Sequence, residues 1–179
     1  MRPAIFLDRD GVIIANHPDY VRSWADVSFI PRALETLATM AGSPYAVVIV
    51  TNQAGVGRGL IPLAEAVSIN ERVRDEIVRA GGRVDGLYLC PHTGADNCDC
   101  RKPRPGMLLR AARELRLDLS RSWMVGDALT DLQAGEAAGV RPLLVLTGRG
   151  AEQESMPGLD GFADLSEAMA YIQQQTTAA

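Results

Sequence analysis

The stretch Ala4-Ile5-Phe6-Leu7-Asp8-Arg9-Asp10-Gly11-Val12 decides the fold. Its opening apolar run does not alternate, which suits a strand buried on both faces of a parallel sheet. The run stops abruptly at Asp8. Strand alternation then predicts the carboxylates of Asp8 and Asp10 on one side and Arg9 facing away. Two such carboxylates repel unless a cation or a shared proton lies between them. Alone, Asp-x-Asp also reads as a turn or a cap. After an apolar strand and before Gly11-Val12 it reads as a metal-binding strand end, and its oxygen ligands suit magnesium.

Three further runs, at residues 46–50, 123–125 and 143–146, share this character, with 84–89 a weaker fifth. Helical patterns fill the intervals at about 31–41, 62–80, 106–115 and 130–138, and a last one covers about 165–174. Pro31 and Pro62 suit first-turn positions, and Gly42, Gly81 and Gly139 suit helix stops. The polar tail from Gln173 onward reads as a frayed end. Strands alternating with helices predict an α/β fold, a three-layer doubly wound and mostly parallel sheet, as one domain over 1–179. Ligands bind such sheets beyond the carboxyl ends of the strands. Asp8-Arg9-Asp10, Thr51-Asn52-Gln53 and Gly126-Asp127 each follow a strand directly, so one rim receives all three, and Asp127 brings a third carboxylate. Gly55, Gly57 and Gly59 are wrongly spaced for a dinucleotide fingerprint and read as a flexible loop at that rim. Lys102 offers a positive charge for a phosphoryl group, though in isolation it also reads as a solvated surface lysine.

Composition bounds the class of protein. The chain has 179 residues, 47% hydrophobic and 22% charged, enough for a real core. With 18 basic and 22 acidic residues it carries a net charge of −4, without the broad basic field that nucleic-acid binding needs. No run approaches the roughly 20 apolar residues of a membrane span, and charge comes too early after Met1 for a secretory signal. A cytoplasmic monomer without membrane or nucleic-acid partners is expected. All three cysteines lie between Cys90 and Cys100. An odd, clustered set is a poor disulfide framework and a good metal site. Cys90, His92, Cys98 and Cys100 offer three thiolates and an imidazole, which fill the tetrahedron of a structural zinc. A chance cluster of free thiols is the alternative. Arg101-Lys102 follow at once, so zinc would fix both cations.

In chain order, these segments resemble the four motifs of the haloacid dehalogenase superfamily of phosphohydrolases. Residues 5–12 resemble the first, Val50-Thr51-Asn52-Gln53 the second, Lys102-Pro103 the third, and Gly126-Asp127 with Asp131 the fourth. The resemblance implies a double displacement with Asp8 as nucleophile and Asp10 as general acid and then base, proton transfer worth typically about 10²–10⁴-fold. It implies that Thr51, the Asn52 amide and Lys102 hold phosphoryl oxygens, with magnesium between Asp8, the Asp10 carbonyl and Asp127. The zinc loop is similar to that of the zinc-bearing branch, which comprises heptose bisphosphate and histidinol phosphatases and carries such a loop in both groups, while the run from Cys100 to Met107 lies closer to the former. That likeness implies a small sugar phosphate as substrate, with Arg101 at its distal portion. It also implies substrate contacts from Asn16, His17, Asp19 and Tyr20, and from Asn52, Gln53 and Ala54. Two positions depart from the family pattern: Asp19 replaces the glycine that usually precedes the tyrosine, and Ala128 replaces a lysine found in some members. Both concern the sugar more than the reaction. No large insertion separates the motifs, so no cap domain is expected. A zinc-stabilised binding module with a dead site is the rival reading, and the intact Asp8, Asp10, Thr51, Lys102 and Asp127 oppose it.

Overall fold

Strands that are apolar on both faces need partners on both edges and cover above and below. In the computed structural model, which describes residues 1–153 and 161–177, they find both. The elements in chain order are β1 (Ala4–Leu7), α1 (Ala33–Thr39), β2 (Ala46–Asn52), α2 (Ala54–Gly57), α3 (Leu63–Arg79), β3 (Gly86–Cys90), α4 (Gly106–Leu115), β4 (Trp123–Gly126), α5 (Leu129–Ala138), β5 (Arg141–Val145), α6 (Gly150–Gln153), β6 (Gly161–Phe162) and α7 (Leu165–Thr177). The sheet order is β3-β2-β1-β4-β5-β6, with every pair parallel.

Alternation sorts the strand side chains into two cores. Ile5, Leu7, Val47 and Ile49 pack with Leu37 of α1, Val73 and Ile77 of α3, and Ile172 of α7. Phe6, Val48, Val50 and Met124 pack with Met107 and Leu108 of α4 and Ala134 of α5. Helices therefore cover both faces, giving the expected three layers. After β1 the chain adds β2 and β3 on one side, then returns to place β4 on the other. The crevice beyond β1 and β4 is thus the point where strand order reverses, the position that favours ligand binding.

Several boundaries differ from expectation for local reasons. α1 starts at Ala33 because Arg32 has φ 66°, a left-handed conformation that a right-handed helix cannot contain. Pro62 is extended and precedes α3 instead of lying in its first turn. β2 continues through Asn52 because Thr51 and Asn52 pair with Leu89 and Cys90. β5 begins at Arg141, which pairs with Trp123 and sets its guanidinium 3.7 Å from that ring's centroid. The glycine-rich segment expected as a flexible loop forms α2, and the Gly57 N–H donates to the Pro91 carbonyl at 2.8 Å. The expected frayed end remains helical through Thr177; residues 178–179 lie outside the described residues.

Candidate active site

Past the end of β1, the Asp8 N–H still donates to the Val125 carbonyl of β4 at 3.0 Å, so Asp8 stays in sheet register. Asp127 follows β4 immediately, and Asp131 lies in the first turn of α5. Oxygens of Asp8, Asp127 and Asp131 all lie within 4.8 Å of one another. Such crowding requires bare backbone alongside. A Cβ at Gly11 (φ 81°) would stand 2.0 Å from Asp127 Oδ2, and one at Gly148 (φ 59°) 2.3 Å from it. Glycine supplies both the left-handed conformation and the space. Asp127 Oδ2 accepts from Asn16 Nδ2 and from the Arg149 N–H, each at 2.8 Å. Asp131 accepts from the Ala128 N–H at 3.1 Å and so caps α5.

One buried cation answers this cluster. Lys102 Nζ lies 2.9 Å from Asp8 Oδ1 and 2.6 Å from Asp131 Oδ1, and it donates to the Val50 carbonyl at 2.9 Å. Asn52 locks its backbone: the Lys102 N–H donates to Asn52 Oδ1 at 3.1 Å, and Asn52 Nδ2 donates to the Lys102 carbonyl at 3.0 Å. Three carboxylates against one ammonium leave the site short of positive charge. Burial, only partly offset by Lys102, pushes the Asp8 carboxyl up to about 7. Burial also raises Asp127 and Asp131. Although burial acts to lower Lys102, Asp131 and Asp8 hold it above the usual ammonium range. A divalent cation with oxygen ligands would supply the missing charge, and the donor set fits magnesium. Asp10, whose expected share was its backbone carbonyl, keeps its carboxylate outside the three-acid cluster.

Arg9 corrects the alternation argument. It is 1% exposed and folds back onto its neighbour, with Nη2 2.9 Å from both oxygens of Asp10 and Nε 3.2 Å from Oδ2. Gln53 Nε2 donates to Asp10 Oδ2 at 2.9 Å and to Thr51 Oγ1 at 2.8 Å. Thr51 is fully buried, with its hydroxyl 3.4 Å from Asp10 Oδ2. Thr51 and Gln53, expected at the substrate, both contact Asp10, and Gln53 also lines the cleft above it.

β3 delivers the first thiol of the metal loop at its last residue, Cys90. The ligand atoms of Cys90, His92, Cys98 and Cys100 lie within 4.8 Å of one another. Cys90 Sγ is 3.7 Å from Cys98 Sγ and 3.2 Å from Cys100 Sγ, and Cys98 and Cys100 are 3.5 Å apart. His92 Nδ1 is 3.3 Å from Cys100 Sγ and 3.7 Å from Cys90 Sγ. Zinc bonds of about 2.3 Å to sulfur imply tetrahedral edges of about 3.8 Å, so the cage has the size and donor set for zinc. All three thiols are free of disulfides. The loop also places the neighbouring cation, because Arg101 Nη1 donates to the His92 carbonyl at 3.2 Å.

A cleft of about 380 Å³ opens over the rim, with Asp8, Asp10, Arg101 and Lys102 among its lining. Asn16, His17, Tyr20, Asn52, Gln53 and Ala54 reach it as well. Asp19 does not. It is exposed, pairs with Arg22 at 3.9 Å, and donates its N–H to His17 Nδ1 at 3.2 Å. Two arginines that sequence reasoning did not single out, Arg58 and Arg149, also line the cleft, Arg58 lying 5.9 Å from the Tyr20 ring centroid. The available clue was their place among glycines just beyond strand ends. Ala128 lines the cleft without offering a charge.

Comparison with known proteins covers nearly the whole chain. A family model described as HAD-hydrolase-like matches residues 99–166. A D-glycero-beta-D-manno-heptose-1,7-bisphosphate 7-phosphatase of Neisseria meningitidis serogroup B is 37% identical over 183 residues, covering 97% of this chain and 96% of that protein. The protein of the same name from Photorhabdus laumondii is 39% identical over 184 residues, covering 96% and 97%. A crystal structure of D,D-heptose 1,7-bisphosphate phosphatase from B. bronchiseptica, complexed with magnesium and phosphate, matches with a TM-score of 0.88 at 36% identity, covering 99% of each chain.

Proposed function

The chain belongs to the HAD-like hydrolases, in the family of the heptose bisphosphate phosphatases, and on that premise we propose that it removes the 7-phosphate of D-glycero-D-manno-heptose 1,7-bisphosphate through an aspartyl-phosphate on Asp8. The observation that carries this reading is the charge-deficient rim, with Asp8, Asp127 and Asp131 around one buried lysine at the end of a central strand.

In the first step an Asp8 oxygen bonds to phosphorus as the ester P–O bond breaks, and the Asp10 carboxyl proton passes to the departing sugar oxygen. In the second, water attacks phosphorus and gives its proton to Asp10. The Asp8–phosphorus bond then breaks and phosphate leaves. Lys102 and the backbone at the end of β2 face the transferring oxygens, where positioning and charge neutralisation do most of the work. Asp8, the Asp10 carbonyl and Asp127 would hold magnesium, which when bound neutralises phosphoryl charge. Cys90, His92, Cys98 and Cys100 would hold a structural zinc whose loop aims Arg101 and Lys102 at the cleft.

A bisphosphate carries a second anion away from the reacting centre. Arg101 meets it, and Arg58 and Arg149 add positive charge at the same mouth. Histidinol phosphate has no second phosphate, so three arginines favour the bisphosphate. His17 and Tyr20 flank the sugar. The enzyme acts as a cytoplasmic monomer on this small substrate. Phosphate release from both heptose bisphosphate anomers and from histidinol phosphate, measured side by side, tests the reading. The β anomer, for which the relatives are named, should show the highest kcat/KM. A preference for histidinol phosphate would overturn the assignment.

A further inference from the structure

The inward stripe of α3 is Ala66, Ile69, Val73 and Ile77, interrupted by one polar side chain, Asn70. Asn70 is 1% exposed, and its Nδ2 has no hydrogen-bond partner among the described residues. A buried, unmatched amide donor is costly, and an apolar residue of similar size would suit the stripe better. What Asn70 provides is its Oδ1, which accepts from Arg9 Nη1 at 2.6 Å.

Arg9 is itself buried, and its planar fork has two ends. Nη1 is held by Asn70, while Nε and Nη2 grip Asp10. A guanidinium is rigid, so fixing one end orients the other. The two oxygens of Asp10 are not equally engaged. Oδ2 takes Arg9 Nε, Arg9 Nη2, Gln53 Nε2 and, at 3.4 Å, Thr51 Oγ1, whereas Oδ1 takes Arg9 Nη2 alone. An ionised carboxylate oxygen offers about two acceptor sites, so Oδ1 keeps one for a proton in transit. The Asp10 side chain is 23% exposed, toward the cleft it lines.

We propose that Asn70 and Arg9 are positioning residues that anchor Asp10 to α3, saturating Oδ2 and presenting Oδ1 to the bridging oxygen of the ester. The inference rests on the reading of Asp10 as the acid that protonates the leaving group. It assigns the fixing of that acid to a helix that supplies no group to the reaction.

The test is kcat/KM for a pair of phosphate monoesters, one of a simple alcohol and one of 4-nitrophenol. With a fast-releasing enzyme this ratio reports phosphorylation of Asp8, and only the alcohol needs a proton as it departs. Asp10→Asn should lower the alkyl-to-aryl ratio by about 10²–10⁴-fold, the usual span for general acid catalysis. Arg9→Lys keeps the charge and loses the fork, and should lower the ratio about 10–100-fold. Asn70→Ala should lower it about tenfold. Asn70→Asp keeps an acceptor for Nη1, although its second oxygen puts buried charge where the unmatched donor stood, and should recover part of the ratio lost in Asn70→Ala. Equal losses on both esters in Arg9→Lys and Asn70→Ala would overturn the proposal, as would an Asn70→Asp as impaired as Asn70→Ala. Should Arg9→Lys not fold, the two Asn70 variants carry the test, since both leave the Arg9–Asp10 pair in place. If Asp10→Asn collapses the ratio and the others do not, the positioning role alone fails. If Asp10→Asn leaves the ratio intact, the acid reading fails and the positioning role with it.

Discussion

Lys102→Met would keep most of the volume of a buried side chain while deleting its charge. Asp8 and Asp131 would lose an ammonium at 2.9 and 2.6 Å, leaving the three crowded carboxylates without that charge beside them. Removing one partner of a buried pair costs about 3–5 kcal/mol. In a chain of this size about 1 kcal/mol shifts Tm by roughly 2–4 °C, so a drop of about 6–20 °C is expected without added metal. The pH dependence has a definite sign. Burial raises Asp8 from 3.8 to about 7 in the folded protein, so the folded state holds more protons than the unfolded state between those values. Metal-free stability therefore falls as pH rises from about 4 through 7. Lys102 now moderates that rise, and its loss should extend the fall to higher pH. Loss of a preorganised donor to the transferring oxygens should also cut kcat by about 10²–10³-fold. Calorimetry across pH, together with turnover of a bisphosphorylated sugar and of an aryl phosphate, measures both effects. A variant within tenfold of wild-type kcat on both substrates, or flat metal-free stability from pH 4 to 7, would refute the reasoning.

Asp8→Asn should abolish phosphate release and leave thermal unfolding close to that of the parent; retention of more than a small fraction of activity would rule out the covalent route. Arg101→Ala should lower kcat/KM for the bisphosphate by one to two orders of magnitude, from the loss of a charge-assisted contact of about 1.5–3 kcal/mol, and should affect an aryl phosphate far less. Elemental analysis of protein prepared without chelator should find about one zinc per chain, the stoichiometry of a closed four-ligand cage. Cys98→Ser should lose that zinc and show the Arg101→Ala preference before it loses stability, and full zinc content in this variant would remove Cys98 from the ligand set.

How much of this was legible depended on whether the deciding signal was local. β1 and α4 match expectation residue for residue, because an unbroken apolar run and a strong helical period need no context. Arg141 and Pro142 carry no strand signal of their own; pairing with Trp123 and Met124 makes them β5. β6 is two residues long and exists through its ladder with Leu144 and Val145. At the site, the gathering of Asp8 with Asp127 and of the Cys90, His92, Cys98, Cys100 set was legible from residue type and spacing, whereas Lys102 read alone as a surface lysine and joined them only through its resemblance to a family motif. Arg9 was misread because strand alternation ceases at Leu7, and the turn through Gly11 sends its side chain inward. The grip of Gln53 and Thr51 on Asp10, and of Asn16 on Asp127, joins segments with no periodic relation. Only the assembled sheet reveals it.

The reversal of strand order at β1 also has a temporal meaning. Among the strands of this sheet β1 is made before the others, yet one of its edges waits for β4, whose residues leave the ribosome roughly 120 positions later. At about 5–20 residues per second that interval is roughly 6–24 s. Throughout it Asp8 is present while Asp127 and Asp131 do not yet exist, and the Ile5–Leu7 edge lacks its ladder. A nascent chain in this state exposes an unpaired apolar strand, the feature most prone to join a neighbouring polypeptide. It also lacks the full set of carboxylates that would gather a cation until β4 and the first turn of α5 have been made. The three-acid cluster is assembled only with the pairing that closes this edge.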